Sequence, residues 1–400
     1  MFVREIKAVP DRIMEEIRKT GVSEDSLEIF LSKGTFKVFK LYDVLTPAAN
    51  VLKQEMLAAG GDAAVHRYAV NCKVDKTDVV LFGTKRTYEV ILEKLKKMPY
   101  WDIDVIRERI ESLLNIPYTL NSIPLSAGRM LQFGEKTSVM GVVNVTPDSF
   151  YPNSRIASVE EGIKKVEEMI KAGVDIIDIG GESTRPGAEP VSVEEESNRV
   201  IPLIKAIRER WDIPISIDTY KSEVARKALR EGADMVNDIS GLRFDPDMIG
   251  LVKEKGCPFV IMHIKGTPRN MQNNPYYEDC TREIVEYFQN KIEELIDRGL
   301  KKEKMIIDPG IGFGKRVEDN LEILRNIEEF RFFGIPILIG ISRKSIIGKI
   351  LNLPVEERLE GTLALNAYAV SKGANIIRVH DVKETVRVCR MIDALTYSLH

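Results

Sequence analysis

The sequence predicts an α/β fold in which an eight-stranded parallel (βα)8 barrel follows a small α+β module. Eight short runs of Val, Ile, Met and Phe lie between residues 138 and 380, and each ends at a polar residue or a glycine. The runs are continuously apolar, as in strands buried on both faces. Enough chain for one amphipathic helix separates consecutive runs. Eight such repeats over roughly 260 residues match a TIM barrel, whereas a doubly wound open sheet would use fewer units and a glycine-rich first turn.

Residues 1–125 lack this regular alternation. Apolar spacing and breakers predict strands at 35–41 and 78–83, and helices at 11–20, 47–59, 88–97 and 102–114. A linker containing Pro117 and Pro124 follows. No cluster of catalytic residue types occurs in this α+β module, so the sequence predicts no function for it.

The barrel is predicted over residues 130–400. Its strands are expected at 139–145, 176–179, 214–217, 235–236, 258–262, 305–307, 336–341 and 375–379. Its helices are expected at 158–172, 193–210, 222–231, 246–255, 276–298, 318–327, a broken stretch ending near 372, and 382–397.

Composition excludes several classes of partner. The net charge of −3 gives no broad attraction to nucleic acid or to an anionic membrane. No apolar stretch approaches the roughly 20 residues that span a bilayer, and Arg4, Glu5 and Lys7 interrupt the start of the chain. We therefore expect a cytoplasmic protein. The four cysteines lie too far apart to suggest a disulfide framework or a zinc site.

The polar residues that end the runs should meet on one rim, because active sites of such barrels lie at the carboxyl ends of the strands. Asp218 and Asp308 can accept parallel N–H bonds from a flat heterocycle, Asn237 can donate and accept, and Lys344 supplies positive charge. They describe a pocket for a planar, nitrogen-rich ring. Helix capping explains single Asp or Asn residues, but it does not require Lys344, Arg378 and His380 as well.

Arg378 and His380 lie two apart on the predicted eighth strand, so their side chains share a face. This is where barrels often hold phosphate; a salt-bridged Arg beside a structural His is the alternative. His263 fits core packing and pocket lining equally well. The loops at 146–150 and 181–187 mix Gly or Pro with hydroxyls and charge, as substrate-closing loops do.

These motifs resemble the dihydropteroate synthase family. The resemblance covers about 130–395 and rests on at least one motif per barrel turn: 140–150 (MGVVNVTPDSF), 180–187 (GGESTRPG), 216–219 (SIDT), 237–240 (NDIS), 262–263 (MH), 266–268 (GTP), 308–315 (DPGIGFGK), 342–345 (SRKS) and 378–381 (RVHD). The family joins 6-hydroxymethyl-7,8-dihydropterin diphosphate to 4-aminobenzoate and releases pyrophosphate.

The resemblance implies a role for each rim residue. Pterin binding would use Asp218, Asn237, Asp308, Lys344, Met262, Phe313 and Gly340. Asn144 would bind Mg²⁺ on the pyrophosphate, which would also meet Arg378 and His380. Aminobenzoate would meet Thr184, Arg185, Pro186, Phe150 and Ser345. Asp218, Lys344 and Arg185 would be the catalytic set. The family is usually dimeric, so the resemblance also implies a homodimer that binds small-molecule substrates.

One departure and two rival functions accompany this resemblance. The family usually has a glycine-rich stretch after Phe150, whereas this chain has Tyr151-Pro152-Asn153-Ser154, and proline restricts the backbone. A methyltetrahydrofolate-dependent methyltransferase shares the pterin barrel, but it would not need the pyrophosphate-binding residues Arg378 and His380. A non-catalytic pterin-binding protein would not need groups for metal, pyrophosphate and ring together.

Overall fold

The computed structural model describes residues 3–6, 10–115, 122–145, 155–183, 187 and 189–396. It divides the chain into two compact units, Met1–Ile116 and Pro117–His400. Phe150, Thr184, Arg185 and Pro186 lie outside the described residues.

The first unit is an antiparallel sheet of order β1-β3-β2 with helices. Its elements are α1 (Pro10–Arg18), α2 (Leu27–Gly34), β1 (Phe36–Leu45), α3 (Thr46–Ala58), β2 (Asp62–Val65), β3 (Lys76–Thr84), α4 (Lys85–Leu95) and α5 (Ile103–Asn115). Leu81 of β3 packs with Leu52 of α3 and Ile91 of α4 in one buried cluster. Helix α2 and strand β2 were not predicted from the sequence.

The second unit is the barrel. Its strands are β4 (Ser122–Pro124), β5 (Met130–Gln132), β6 (Ser138–Asn144), β7 (Ile176–Gly180), β8 (Ile215–Asp218), β9 (Met235–Asp238), β10 (Phe259–Met262), β11 (Met305–Asp308), β12 (Leu338–Ile339) and β13 (Ile376–Val379). Its helices are α6 (Arg155–Lys171), α7 (Val193–Arg208), α8 (Ser222–Arg230), α9 (Met248–Lys255), α10 (Cys280–Asp297), α11 (Val317–Arg325), α12 (Ser345–Leu351), α13 (Leu359–Ser371) and α14 (Val382–Thr396).

Strands β6–β13 form one parallel sheet that closes on itself. Its order is β11-β10-β9-β8-β7-β6-β13-β12. A parallel bridge between Ile307 and Ile337 joins the two ends, and the Ile307 amide donates to the Pro336 carbonyl at 2.9 Å. The predicted eight-stranded barrel is therefore confirmed, with a helix after each strand except that α12 and α13 both follow β12.

The two faces of the barrel strands carry different side chains. Outward residues such as Ile177, Ile217 and Ile261 pack under the helices in one large cluster. Inward residues form a second cluster inside the barrel, comprising Met140, Ile176, Met235, Val260, Ile306, Leu338 and Ile376. Because both faces are covered, the strands read as continuous apolar runs in the sequence.

A hairpin of β4 and β5 packs against that inner cluster. Its Ile123 and Leu131, together with Leu125 and Phe133, are buried with the inward barrel residues. Lys304, which precedes β11, donates to the Pro124 carbonyl at 2.5 Å. From the sequence, the segment that contains Pro117 and Pro124 was predicted to be a linker. The structure instead shows that the hairpin of β4 and β5 belongs to the barrel unit, where this hairpin covers the amino-terminal end of the barrel strands.

None of the described helices has the length and apolar character needed to cross a membrane. The four cysteines are free, with Cys72 exposed and the other three buried.

Candidate active site

Strand alternation places the predicted rim residues inside the barrel. Side chains two apart on a strand point the same way, and seven strands contribute an apolar side chain to the inner cluster. On each of these seven strands, the residue two positions further along faces the same way, and on β8 the equivalent residue lies two positions after Ser216. These residues are Val142, Asp178, Asp218, Asn237, Met262, Asp308, Gly340 and Arg378. One further step of two gives Asn144 on β6 and His380 after β13. Five of the seven predicted ring residues, together with Asn144 and Arg378 of the predicted pyrophosphate residues, therefore share one interior rim, and His380 follows at its exposed edge.

A partly buried ion cluster lies at the centre of this rim, with Asp178 fully buried and Arg378 24% exposed. Arg378 Nε donates to Asp178 Oδ2 at 2.7 Å, and Arg378 Nη2 donates to Asp218 Oδ2 at 2.5 Å. Asn237 Nδ2 donates to the same Asp178 oxygen at 3.2 Å. Among the described residues, Asp178 Oδ1 is buried without a hydrogen-bond partner. The guanidinium of Arg378 thus joins β13 to β7 and β8, and Asp178 joins β9 to them.

Burial and charge shift the acid–base properties of this cluster. Burial raises the pKa of Asp218 to about 7, while Arg378 opposes the shift and Asp178 adds to it. Burial also disfavours the charged form of Arg378, but Asp178 and Asp218 outweigh that effect and raise its pKa. Asp218 is therefore poised to change charge near neutral pH, whereas Arg378 stays cationic.

Asp308 and Lys344 influence each other's ionisation near that cluster. Burial raises the pKa of Asp308, against the opposing effect of Lys344. Burial lowers the pKa of Lys344 to about 8, against the opposing effect of Asp308. Lys344 Nζ donates to the Ile311 carbonyl and lies 4.7 Å from the Phe313 ring centroid. A carboxylate, an ammonium and an aromatic face are thus brought together, as the predicted ring pocket requires.

Lys315 fixes the loop that carries Asp308 and Phe313. Its buried Nζ contacts His263 Nδ1 at 2.9 Å and donates to the carbonyls of Gly310 and Phe313 at 2.9 and 3.1 Å. Burial lowers the pKa of Lys315 to about 7. Burial, followed by Lys315, lowers the pKa of His263 well below its usual value. His263 therefore supports the loop from inside the protein. Of the two interpretations from the sequence, core packing and pocket lining, this contact favours core packing.

The loop after β12 contacts His380 and the following Asp381. His380 Nδ1 lies 3.0 Å from Ser342 Oγ, which also accepts the His380 amide at 3.2 Å. Arg343, in the left-handed region at φ 54°, donates two bonds of 2.8 and 2.9 Å to Asp381. Arg343 therefore stabilises the loop. Its left-handed backbone turn also sets the direction of the chain at the following residues, Lys344 and Ser345.

Comparison with known proteins gives the family. The family model described as "Pterin binding enzyme" matches residues 140–380. The chain is 47% identical to the dihydropteroate synthase of Synechocystis sp. over 274 residues, which is 68% of this chain and 95% of that protein. It is also 47% identical to the Escherichia coli dihydropteroate synthase over 256 residues, covering 64% of this chain and 90% of that protein.

The chain belongs to the dihydropteroate synthase family.

Solved structures of this family superpose on the barrel. A Yersinia pestis dihydropteroate synthase in a sulfonamide drug complex has a TM-score of 0.64 and 39% identity, covering 70% of this chain and all of that one. A Xanthomonas albilineans dihydropteroate synthase with 4-aminobenzoic acid has the same TM-score and 38% identity, covering 69% and 100%. As a member of the dihydropteroate synthase family, this chain is a transferase of folate biosynthesis that forms dihydropteroate.

A longer relative extends the match into the first unit. A Halobacterium salinarum protein named "Probable bifunctional folylpolyglutamate synthase/dihydropteroate synthase" is 37% identical over 385 residues. That alignment covers 96% of this chain and 46% of the relative. The first unit therefore accompanies the dihydropteroate synthase barrel in a second protein.

Sequence reasoning undervalued Asp178 and missed Lys315. Asp178 lies in the predicted strand 176–179 and was given no role there, yet it accepts bonds from both Arg378 and Asn237. The signal was available, because Asp178 lies two residues after inward Ile176 just as Asp308 lies two after Ile306. Lys315 gave no such signal, since a lysine ending a glycine-rich loop is usually exposed.

Proposed function

We propose that this dihydropteroate synthase binds pterin diphosphate between Asp308, Asn237 and Lys344, with Met262, Phe313 and Gly340 shaping the slot. The pairing of a buried carboxylate with a cation that faces an aromatic ring supports this assignment. Met262 belongs to a small buried apolar cluster against which Phe313 packs, and Gly340 leaves room beside Arg378, whose Cβ would lie 3.7 Å from an added methyl group. A flat ring needs both polar edges and apolar faces, and these residues supply them.

Asp218 and Lys344 would carry the chemical step in the barrel. The C–O bond to the diphosphate breaks with its electron pair leaving on pyrophosphate, and the pterinylmethyl group becomes positive. Ionised Asp218 would stabilise that charge from a fixed position, while cationic Lys344 would hold the ring. The lone pair of the arylamine then forms the C–N bond, and the amine loses a proton to solvent. Positioning is sufficient for this step, because the arylamine is already a neutral nucleophile.

Pyrophosphate would be received by Arg378, His380 and Asn144. Arg378 already lies between two carboxylates, so an arriving anion would compete with Asp178 and Asp218 for its N–H groups. Mg²⁺ fits this site as a substrate-borne ion, since it usually keeps only one or two protein oxygens beside phosphate, and Asn144 at the end of β6 offers an amide oxygen. When bound, the ion would neutralise the leaving group. The described residues contain no His, Cys, Asp and Glu group that could hold a metal without substrate.

We further propose 4-aminobenzoate as the amine and Thr184, Arg185, Pro186, Phe150 and Ser345 as its neighbours. The 4-aminobenzoic acid bound to the Xanthomonas albilineans enzyme supports that choice. The Yersinia pestis enzyme binds a sulfonamide drug, and we propose that sulfonamides compete with 4-aminobenzoate in this protein. Ser345 is exposed directly after Lys344. Arg185 would complete the catalytic set as a cation beside the amine's carboxylate.

The proposal includes a cytoplasmic homodimer. Exposed apolar side chains on α12–α14 and the turn between them support self-association: Ile350, Leu351, Val355, Tyr368, Met391 and Leu395. Sedimentation of the full chain should give twice its monomer mass, and a monomer at micromolar concentration would remove this part of the proposal.

The proposed function is tested by incubating the full chain with pterin diphosphate, 4-aminobenzoate and Mg²⁺ and following pyrophosphate release. We expect release with 4-aminobenzoate and loss of release on chelation of Mg²⁺. Release only with a modified arylamine would assign the enzyme to a specialised pterin pathway. Release unaffected by chelation would remove Mg²⁺ from the proposal.

A further inference from the structure

The loop after β11 is held in shape by side chains. We call residues 309–314 the pterin loop, because Phe313 borders the proposed ring slot. Each backbone carbonyl from residue 310 to residue 314 accepts a hydrogen bond from a side chain. The donors, in the order of the carbonyls, are Lys315, Lys344, Gln272, Lys315 again and Tyr277. The conformation of the pterin loop therefore depends on the side chains that surround it.

Lys315 connects the pterin loop to the ends of two barrel strands. Its Nζ contacts the carbonyl oxygen of His263 at 3.2 Å and His263 Nδ1 at 2.9 Å, directly after β10. The His263 amide donates to the carbonyl of Asp308, at the end of β11, at 2.9 Å. The Gly310 amide donates to Asp308 Oδ1 at 2.7 Å. Lys315 thus joins the pterin loop to the strand ends that carry Met262 and Asp308.

Burial makes the bonds from Lys315 and Tyr277 the most important ones for this loop. Lys315 is 3% exposed and Tyr277 is 4% exposed, whereas Gln272 is exposed to solvent. A carbonyl that loses its donor in a buried place stays unpaired, while a surface carbonyl can bond to water instead. The backbone gives little stiffness of its own, because three of the six loop residues are glycines. The shape of the loop should therefore be sensitive to Lys315 and Tyr277.

We propose that Lys315 is a positioning residue for the pterin ring and that, with Tyr277, it fixes the position of Phe313 in the slot. The inference rests on the proposed function, because it takes Phe313 as a wall of the ring slot. Phe313 packs against the buried cluster that contains Met262, so a displaced loop would change the width of the slot. Lys315 Nζ is surrounded by backbone carbonyls and the His263 ring. Lys315 therefore acts on the substrate through the loop.

The proposed pyrophosphate residues lie on other strands of the barrel. Asn144 ends β6, and Arg378 lies on β13. The guanidinium of Arg378 is held by Asp178 and Asp218, which belong to β7 and β8. Disturbing Lys315 should consequently weaken binding of the pterin ring and spare binding of pyrophosphate. A general loss of structure would instead weaken both.

Lys315→Met tests this split. The substitution keeps an unbranched apolar side chain but removes the Nζ that holds the carbonyls of Gly310 and Phe313. We expect the Kd for 6-hydroxymethylpterin to rise about tenfold, the scale of one hydrogen bond lost in a buried place. The Kd for pyrophosphate with Mg²⁺ should stay within about twofold. Calorimetry on the full chain measures both constants.

Two further variants complete the design. Lys253 Nζ also donates to a backbone carbonyl, that of Arg298 at 2.8 Å, but at an exposed site on α9. Lys253→Met should therefore leave both constants unaltered. Tyr277→Phe removes only the hydroxyl that donates to the Gly314 carbonyl at 2.9 Å, and it should raise the Kd for 6-hydroxymethylpterin about threefold.

The outcomes separate the inference from the proposed function. Unchanged affinity for 6-hydroxymethylpterin in folded Lys315→Met would overturn the positioning role, and so would an equal loss of pyrophosphate affinity. If Lys315→Met does not fold, unchanged pterin affinity in Tyr277→Phe would overturn it. An unaltered protein that does not bind 6-hydroxymethylpterin would instead refute the proposed function.

Discussion

Asp218 Oδ2 lies 2.5 Å from Arg378 Nη2, yet burial still raises the pKa of Asp218 to about 7. Its proposed role requires the ionised form, because only a negative charge can stabilise the pterinylmethyl cation. We therefore expect kcat to be low below pH 6 and to rise through about pH 7 as Asp218 loses its proton. A pH profile of kcat at saturating substrates checks this direction. In Asp218→Asn, this rise should be absent.

The Asp218→Asn substitution also separates catalysis from binding. Removing the charge should reduce kcat by about 100-fold, the scale of one preorganised electrostatic contact, while pterin affinity changes by less than about threefold. Single-turnover rates and equilibrium binding measure the two quantities. Equal losses in both would show that Asp218 is only a binding group.

Arg378→Ala should weaken diphosphate binding more than it weakens binding of the pterin alone. The substitution removes the cation that Asp178 and Asp218 share, so it should also destabilise the fold by up to about 3 kcal/mol. Calorimetry with pterin diphosphate and with 6-hydroxymethylpterin distinguishes the two effects. An unchanged affinity for the diphosphate would contradict the pyrophosphate assignment.

At the scale of elements, the loop between β11 and α11 depends on a glycine. Gly310 has φ +71°, and a Cβ there would lie 2.0 Å from the His263 carbonyl oxygen. Gly310→Ala should therefore displace Asp308 and the turn that Lys315 holds, costing about 1–3 kcal/mol of stability and most of the pterin affinity. Denaturation and pterin binding measure both.

Gly256→Ala is the matched control for that variant. Gly256 ends α9 with φ +59°, but an added Cβ would meet no atom within 4 Å. It should cost about 1 kcal/mol of stability and leave pterin affinity intact. Equal loss of pterin affinity in both variants would show that backbone strain alone, rather than the clash with His263, explains the effect.

The sequence predicted the barrel elements well because each buried strand leaves a continuous apolar run. The hairpin of β4 and β5 escaped prediction, since its strands of three residues show no period and Pro124 suggests a linker. Its structure depends on apolar partners inside the barrel. The ring residues could be predicted from strand ends, whereas the pairing of Arg378 with Asp178 and Asp218 could not, because it requires the closure of distant strands.

In the barrel as a whole, the packed hairpin lies at the amino-terminal end of the strands, and the proposed active site lies at their carboxyl-terminal end. Ile123 is 3% exposed and packs with the inner cluster at the amino-terminal end. Ile123→Ala should lower the free energy of unfolding by about 2–4 kcal/mol and leave both KM values unchanged. Urea denaturation and steady-state kinetics at a temperature well below the melting point check this. A rise in either KM would show that the hairpin influences the rim.

In the proposed function, one rim of the barrel binds two substrates and joins them. The most direct measurement is a quenched reaction in which pyrophosphate and the pterin product are counted together by chromatography and mass spectrometry. We expect one pyrophosphate to be released for each 7,8-dihydropteroate formed, and no release when 4-aminobenzoate is omitted. Pyrophosphate release without the amine, or without a joined product, would contradict it.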